Sequence, residues 1–249
     1  MCRAYIGRAT AHDRGTMAKS FEELACHATE LGELVLRRRR PVSQPEQWVY
    51  EVKLADRFLM SSLNTASERE LATRALARVT GDRLSVLVGG LGLGYTVAAA
   101  LADARVAAVD VVERLPEVIE WHRQGLVPLG RELCADARCR FVLGNCLRML
   151  RAAASQCYDA ILIDIDDSPI HLLEADHAPF YTVAGLRAVR RHLRPAGVFA
   201  LWTSLPAEPD VTERLRQAFG NADVEEVRFA NPLLNDDEVN AIYFARAPE

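Results

Sequence analysis

Five short apolar runs, the first four each leading into a helical stretch, narrow the folds open to this chain more than any other feature: "LSVLVGG", "RVAAVDVVE", "RCRFVLGN", "YDAILIDID" and "GVFALWTS". Runs so continuously apolar offer no face to water. The sheet they form must be covered on both sides, and the intervening helices are the cover. The expectation is an α/β fold with a doubly wound, Rossmann-like parallel sheet. A chain of 249 residues, 50% of them hydrophobic, is long enough to bury one large core. Ahead of the first run, "SERELATRALARV" has helical spacing, with Ser67 as N-cap and Glu70 suited to a capping box. The tail "VEEVRFANPLLNDDEVNAIYFARAPE" reads as two more strands around a polar turn, an antiparallel hairpin at the sheet edge.

Upstream the pattern differs. Residues 1–27 read as a polar, mobile arm in which Met17 could be the biological start, with a short helix opening near Ser20. Residues 28–66 read as a small β-hairpin module built on "GELVLRRR" and "WVYEVKLADRFLMSS", and residues 67–249 as the main domain.

Charge and composition exclude several function classes. A formal charge of −4, from 30 basic and 34 acidic side chains, gives no general attraction to nucleic acid or anionic lipid. Arg37 to Arg40, without interleaved aromatics, reads as a solvated or substrate-rimming hairpin in preference to a nucleic-acid or import patch. No apolar run approaches the roughly eighteen residues of a membrane span, and the N-terminus lacks the apolar core of a secretory signal. A cytosolic setting with reduced thiols follows, since the 6 cysteines include no C-x-x-C pair. Cys134 and Cys139 with His122 match no common zinc spacing, so no metal is expected.

Ligands of a doubly wound sheet bind at the carboxyl ends of its strands. After the first strand come Gly89, Gly90, Gly92 and Gly94, where a Cβ at Gly90 or Gly92 would meet a ligand or a strained backbone. The spacing is G-x-G-x-G, and the third glycine of a dinucleotide fingerprint would fall at Tyr95, which disfavours a nicotinamide or flavin cofactor. A purely structural turn is the alternative. The second strand ends at Glu113, whose carboxylate can accept both hydroxyls of a ribose; Asp110 is its rival. The third closes on Asn145, able either to bond an adenine edge or simply to serve a turn. The fourth runs into Asp164, Asp166 and Asp167. Asp166, Asp167 and Ser168 can also be read as a helix cap or a solvated loop, above all at Asp166, and His171 is near enough in sequence to line the same pocket.

From "GELVLRRR" through the glycine turn, "VVERLPEVIEW" and "YDAILIDIDDSP" to "FYTVAGLRAVRRHLRPAGVFAL", about residues 33–203, the chain resembles the spermidine synthase family, polyamine aminopropyltransferases of the class I AdoMet-dependent transferase fold. The resemblance implies that Gly89 to Gly94 and Glu113 hold an S-adenosylmethionine-type donor, that Asn145 stands where the family has an acid near the adenine, and that no metal takes part. It implies that Asp164 and Asp167 occupy the two acid positions of a D-x-x-D-P signature, as base and amine-binding acid, with Ser168 intervening before Pro169. It also implies that the hairpin module covers the acceptor side and helps form a homodimer. Two positions depart from the family: Glu68 and Arg69 stand near its putrescine-binding Tyr-His pair, and Trp202 replaces a glutamine after the fifth strand.

An aliphatic amine with a pKa of about 10.4 arrives protonated, so a carboxylate must hold the cation and then take its proton. Crowded aspartates would raise the pKa of at least one of their number. The expected activity is transfer of an aminopropyl group from decarboxylated S-adenosylmethionine to a small-molecule amine acceptor. A methyltransferase using S-adenosylmethionine itself, and a non-catalytic nucleoside-binding protein, are the other readings.

Overall fold

The apolar runs become the centre of a seven-stranded sheet. The structure, a computed structural model, describes residues 20–42, 44–231 and 236–249. In chain order the central strands are β5 (Leu84–Gly89), β6 (Val106–Glu113), β7 (Cys139–Leu143), β8 (Tyr158–Ile163) and β9 (Leu193–Thr203). They lie parallel in the spatial order β9-β8-β5-β6-β7. The tail adds β10 (Asp223–Asn231) and β11 (Asp236–Arg246), an antiparallel hairpin with β11 against β9 and β10 at the edge.

Strand alternation sends neighbouring side chains to opposite faces, and each face has its own core. Val86 and Val88 pack with Leu71, Leu76 and Val97 beneath α1 (Ala66–Ala77) and α2 (Tyr95–Ala102). Leu87 and Ile161 pack with Leu147, Leu186, Phe199 and Leu215 on the other side. There α5 (Cys146–Arg151), α6 (Val183–Val189) and α7 (Pro209–Phe219) cover the sheet. After β6, α3 (Pro116–Gln124) and α4 (Gly130–Ala135) complete the first layer. Among the described residues no helix is long and apolar enough to cross a membrane.

A second, antiparallel sheet runs β1-β2-β3-β4, comprising β1 (Phe21–Thr29), β2 (Gly32–Arg39), β3 (Val49–Leu54) and β4 (Arg57–Ser61). Its buried Leu34, Leu36, Val52 and Leu54 join the core that holds Trp121 and Val118. The sheet therefore packs on the main one instead of standing apart.

Several expectations need correction. The run after Ser20 is strand, not helix, and the expected arm is ordered from Phe21 onward because β1 pairs with β2 along its length; the rest of that arm, residues 1–19 with Met17, lies outside the described residues. The run beginning at Trp48 folds back on itself at Ala55, whose φ is +49°, and so supplies two strands. α1 is capped by Thr65, not Ser67, and the capping box is absent: Ser67 Oγ donates to Glu68 and Glu70 pairs with Arg74 one turn on. α7 was not anticipated.

Candidate active site

The strand order reverses between β5 and β8, since β5, β6 and β7 step one way and β8 and β9 the other. Ligands of such sheets bind at this crevice. Its floor is the glycine turn. The Asp164 N–H donates to the Gly89 carbonyl at 2.9 Å, the last link between the two strand ends. Gly90, at φ +94°, accommodates that closeness, for a Cβ there would lie 2.0 Å from the Asp164 carbonyl oxygen. Gly92 has φ +47°, and Gly94 is the N-cap of α2 at φ +92°.

Two cavities meet over this turn. The larger, about 600 Å³, is lined by Met60, Ser67 and Glu68, by Tyr95, and by Trp202, Phe229 and Asn240 on the side of the C-terminal hairpin. The narrower, about 100 Å³, is lined by Glu113, Asn145 and Cys146 and by Leu173, Glu174 and His177. Gly90, Gly92, Met60 and Asp164 border both. Met60 stands between them, its sulfur 2.7 Å from where a Cβ on Gly92 would fall.

Glu113 leaves the end of β6 and accepts backbone N–H bonds from Leu91 at 3.0 Å and from Leu115 at 2.8 Å. Burial raises its pKa against those bonds. Its rival Asp110 is unavailable: Arg140 grips it with two bonds of 2.8 Å and Tyr158 adds a third at 2.9 Å. Burial works against the charge of Asp110, yet these donors hold its carboxyl below the ordinary range. Asn145 caps α5, its Oδ1 accepting from the Arg148 N–H at 2.9 Å, which leaves its amide N–H₂ to face the narrower cavity. The cap reading and the ligand reading of this residue are thus compatible.

The three aspartates diverge, because β8 ends at Ile163 and the alternation that would align them ends with it. Asp164 enters the crevice, where its Oδ2 accepts the Thr96 hydroxyl at 2.7 Å. Burial lifts its pKa from 3.8 to about 6. Asp166 turns the other way and is 2% exposed, accepting from Leu173 N, His177 Nδ1 and the Tyr181 hydroxyl. It is neither a helix cap nor solvated. Asp167 reaches the larger cavity, but its Oδ2 is 2.8 Å from Arg57 of β4, and its side chain is 43% exposed. Crowding among the three is therefore not what perturbs Asp164. The second carboxylate near it is Glu68, on the first turn of α1, which sequence reasoning passed over as a departure from the family pattern. Burial and then the charge of Asp164 lift the Glu68 pKa from 4.5 to about 7.

Other expectations resolve outside the crevice or at its rim. His171 is exposed and pairs with Ser168 away from both cavities. Arg37 and Arg39 clasp the buried Glu51, Arg38 bonds Glu22, and Arg38 and Arg40 flank the Trp48 ring; of the four, Arg39 rims the larger cavity. His122 bonds the Gly92 carbonyl at 2.9 Å, and with Cys134 and Cys139 it forms no ligand cluster among the described residues. Glu174, Asp176 and His177 do bring ligand atoms within 4.8 Å of one another; His177 Nδ1 is held by Asp166 and Glu174 by Arg114.

This parallel sheet, with a glycine turn at its switch point, an acid after the second strand and an aspartate after the fourth, has the fold of solved spermidine synthases. Comparison with known proteins agrees. A solved spermidine synthase in complex with the transition-state analogue AdoDATO superposes with a TM-score of 0.71 over 90% of this chain and 73% of that one, at 19% identity, a likeness of fold. Putrescine N-methyltransferase 2 of Nicotiana tabacum is 28% identical over 149 residues, 58% of this chain and 40% of that protein. Spermidine synthase 2 of Arabidopsis thaliana is 28% identical over 151 residues, 58% of this chain and 42% of that protein. The chain thus spans less than half the length of these relatives. No protein-family model matches it.

Proposed function

We propose that the chain is a spermidine synthase-like transferase that moves an aminopropyl group from decarboxylated S-adenosylmethionine to a small amine. The observation that carries this reading is the position of Asp164 at the junction of the two cavities, on the wall of both. A donor nucleoside on one side and an amine on the other would meet beside it.

The residues present suit the donor. Glu113 lines the narrower cavity and can offer its carboxylate to ribose hydroxyls, the Asn145 amide can donate to an adenine ring nitrogen, and Gly90 and Gly92 keep side chains off the turn. Admission of a nucleoside to the narrower cavity needs the Met60 side chain to swing aside, which a flexible thioether permits. A sulfonium donor supplies a carbon whose bond to sulfur breaks as the bond to the amine nitrogen forms, the electron pair returning to sulfur. Asp164 first takes a proton from the ammonium, freeing the nitrogen lone pair. A base lifted to about 6 narrows the gap to an amine near 10.4 while staying ionised at pH 7. Asp167 contributes at the rim, its charge balanced by Arg57. A homodimer formed through the N-terminal sheet belongs to the same reading, supported by β1 being an edge strand exposed along much of its length.

Methyl transfer from S-adenosylmethionine is the second reading, favoured by the putrescine N-methyltransferase relative. That donor carries a carboxylate, however, and Asp164 at the junction, with Glu68 on the wall of the larger cavity, suits a cationic aminopropyl end better.

Thermal unfolding with decarboxylated S-adenosylmethionine, S-adenosylmethionine, methylthioadenosine and NAD, followed by product masses with a panel of amines, tests both. Decarboxylated S-adenosylmethionine should stabilise most, by about 2.7 kcal/mol at a hundredfold excess over Kd, and the product should carry an aminopropyl group. A methylated product establishes the second reading. Stabilisation without any product leaves a nucleoside-binding protein.

A further inference from the structure

Five acids stand on the wall of the larger cavity: Glu51, Glu68, Asp164, Asp167 and Glu238. Glu51 is held by Arg37 and Arg39, and Asp167 by Arg57. Glu238 sits on β11, opposite Phe229 in the terminal hairpin. Glu68 and Asp164 are different in kind, for the side chains that bond them are uncharged hydroxyls: Ser67 Oγ donates to Glu68 at 3.0 Å and Thr96 Oγ1 to Asp164 at 2.7 Å. They come from different elements, the first turn of α1 and the loop after β8, and converge on one cavity whose remaining wall includes the rings of Tyr95, Trp202 and Phe229.

Two carboxylates facing the same partly desolvated space, neither in an ion pair and only Glu68 partly offset by the neighbouring Arg69, are a costly arrangement unless something positive enters between them. We infer that Glu68 is the second carboxylate that binds the acceptor, holding the ammonium group of a primary alkylamine against Asp164 while the amine's apolar body lies along Tyr95, Trp202 and Phe229. This rests on the amine-acceptor reading above and deepens it. Glu68 holds the cation, and Asp164, which borders the donor side as well, takes its proton. The anchoring role that the sequence pattern offered to Asp167 passes to Glu68, because Arg57 already neutralises Asp167.

The charged and titratable groups that share this wall with Glu68 are Asp164, Tyr95 of α2 with its Ser62 bond, the Arg39 and Glu51 pair of the first sheet, Asp167 paired with Arg57, and Glu238; Arg69, next to Glu68 on α1, has its guanidinium over the Tyr95 ring. With its pKa lifted to about 7, Glu68 retains part of a proton at neutral pH. An incoming ammonium would expel that proton.

Calorimetric titration tests this without turnover. Putrescine and phenethylamine are titrated into the full chain at pH 7, with and without methylthioadenosine, in two buffers of different ionisation enthalpy, which gives the protons released per amine bound. At least one amine should bind the wild type with release of a fraction of a proton. Glu68→Gln should weaken that amine on the order of ten- to a hundredfold and abolish the release, since a charge-assisted bond is lost and the titrating group with it. Glu70→Gln, two residues along and paired with Arg74, should change neither, and circular dichroism should show both variants folded. Equal amine affinity in Glu68→Gln and wild type, unchanged proton release, or binding of neither amine by the wild type would overturn the assignment. Because the titration is also run without nucleoside, failure of the donor reading and failure of the Glu68 assignment show up separately.

Discussion

One carbonyl oxygen governs how far the glycine turn can be altered. A methyl group on Gly90 would sit 2.0 Å from the Asp164 oxygen, backbone against backbone, at a φ of +94° that side-chain-bearing residues rarely adopt. Gly92 presents a milder problem, because the first atom met is the sulfur of Met60 at 2.7 Å, the far end of a flexible chain. Gly90→Ala should therefore move the loop that carries Asp164, with a stability loss of roughly 2 kcal/mol or more and loss of methylthioadenosine binding. Gly92→Ala should keep most of its stability, its cost being mainly the strain at φ +47°. Thermal unfolding and nucleoside titration of the two variants check the order. The sequence points to both glycines but cannot rank them, since the ranking depends on which distant atom lies overhead.

At the scale of elements, what anchors the loop after β8 is Asp166, the member of the acid cluster that sequence reasoning assigned to capping or solvation. Its carboxylate gathers Leu173 N at 2.6 Å, His177 Nδ1 at 2.9 Å and Tyr181 Oη at 2.8 Å, and so pins the segment whose Leu173, Glu174 and His177 line the narrower cavity. Asp166→Ala would strand two buried donors and one half-buried one, and should cost about 3 kcal/mol, a fall in Tm on the order of 6–12 °C, with weakened nucleoside binding. A variant that melts with the wild type would mean the loop is held by something else. The β/α alternation, the strand ends and Gly89, Gly90, Gly92, Gly94, Glu113 and Asp164 are legible because each depends on local pattern and on the general placement of ligands at strand ends. Three things are not legible, each because a distant partner decides it. β1 is rich in helix formers and becomes a strand only by pairing with β2. The divergence of Asp164, Asp166 and Asp167 depends on β8 stopping at Ile163. Glu68 belongs to the site only because α1 delivers it beside a residue 96 positions away in sequence. α7 was readable after all: Pro209 at its start, Gly220 at its end and apolar residues at 211, 215, 218 and 219 make an ordinary helix signature.

For the whole molecule these local environments add up to a dependence of stability on pH with a definite sign. Asp164 and Glu68 have folded-state values of about 6 and about 7, above the 3.8 and 4.5 of the unfolded chain. Between those limits the folded state keeps protons that the unfolded state has released, so stability falls as pH rises through the window, as linkage requires. His177 acts in the same direction: burial opposes its charge, but the bond to Asp166 prevails and raises its value above 6.5, and the stability of the charged pair is lost as pH rises through that raised value. Asp103, Asp110, Asp136 and Glu225 act oppositely, since partners lower their values and the stability they contribute disappears as pH falls through those lowered values. His122 and His192, whose values burial lowers, also lose stability as pH falls through 6.5. The share due to Asp164 and Glu68 is present near pH 5 and should be lost by pH 8, a difference of several °C in Tm. Combining Asp164→Asn with Glu68→Gln removes two of the groups responsible for that loss, leaving Glu113, Glu174 and His177. The two carboxylates share one cavity and Asp164 raises the Glu68 value, so the double variant is the informative one. It should melt at about the wild-type temperature at pH 5 and a few °C above wild type at pH 8, while binding no amine. Differential scanning calorimetry at the two pH values decides it. Parallel curves for the two proteins would mean that the carboxylates are solvated in the free protein, and that the cavity places no strain on charge before a cation arrives.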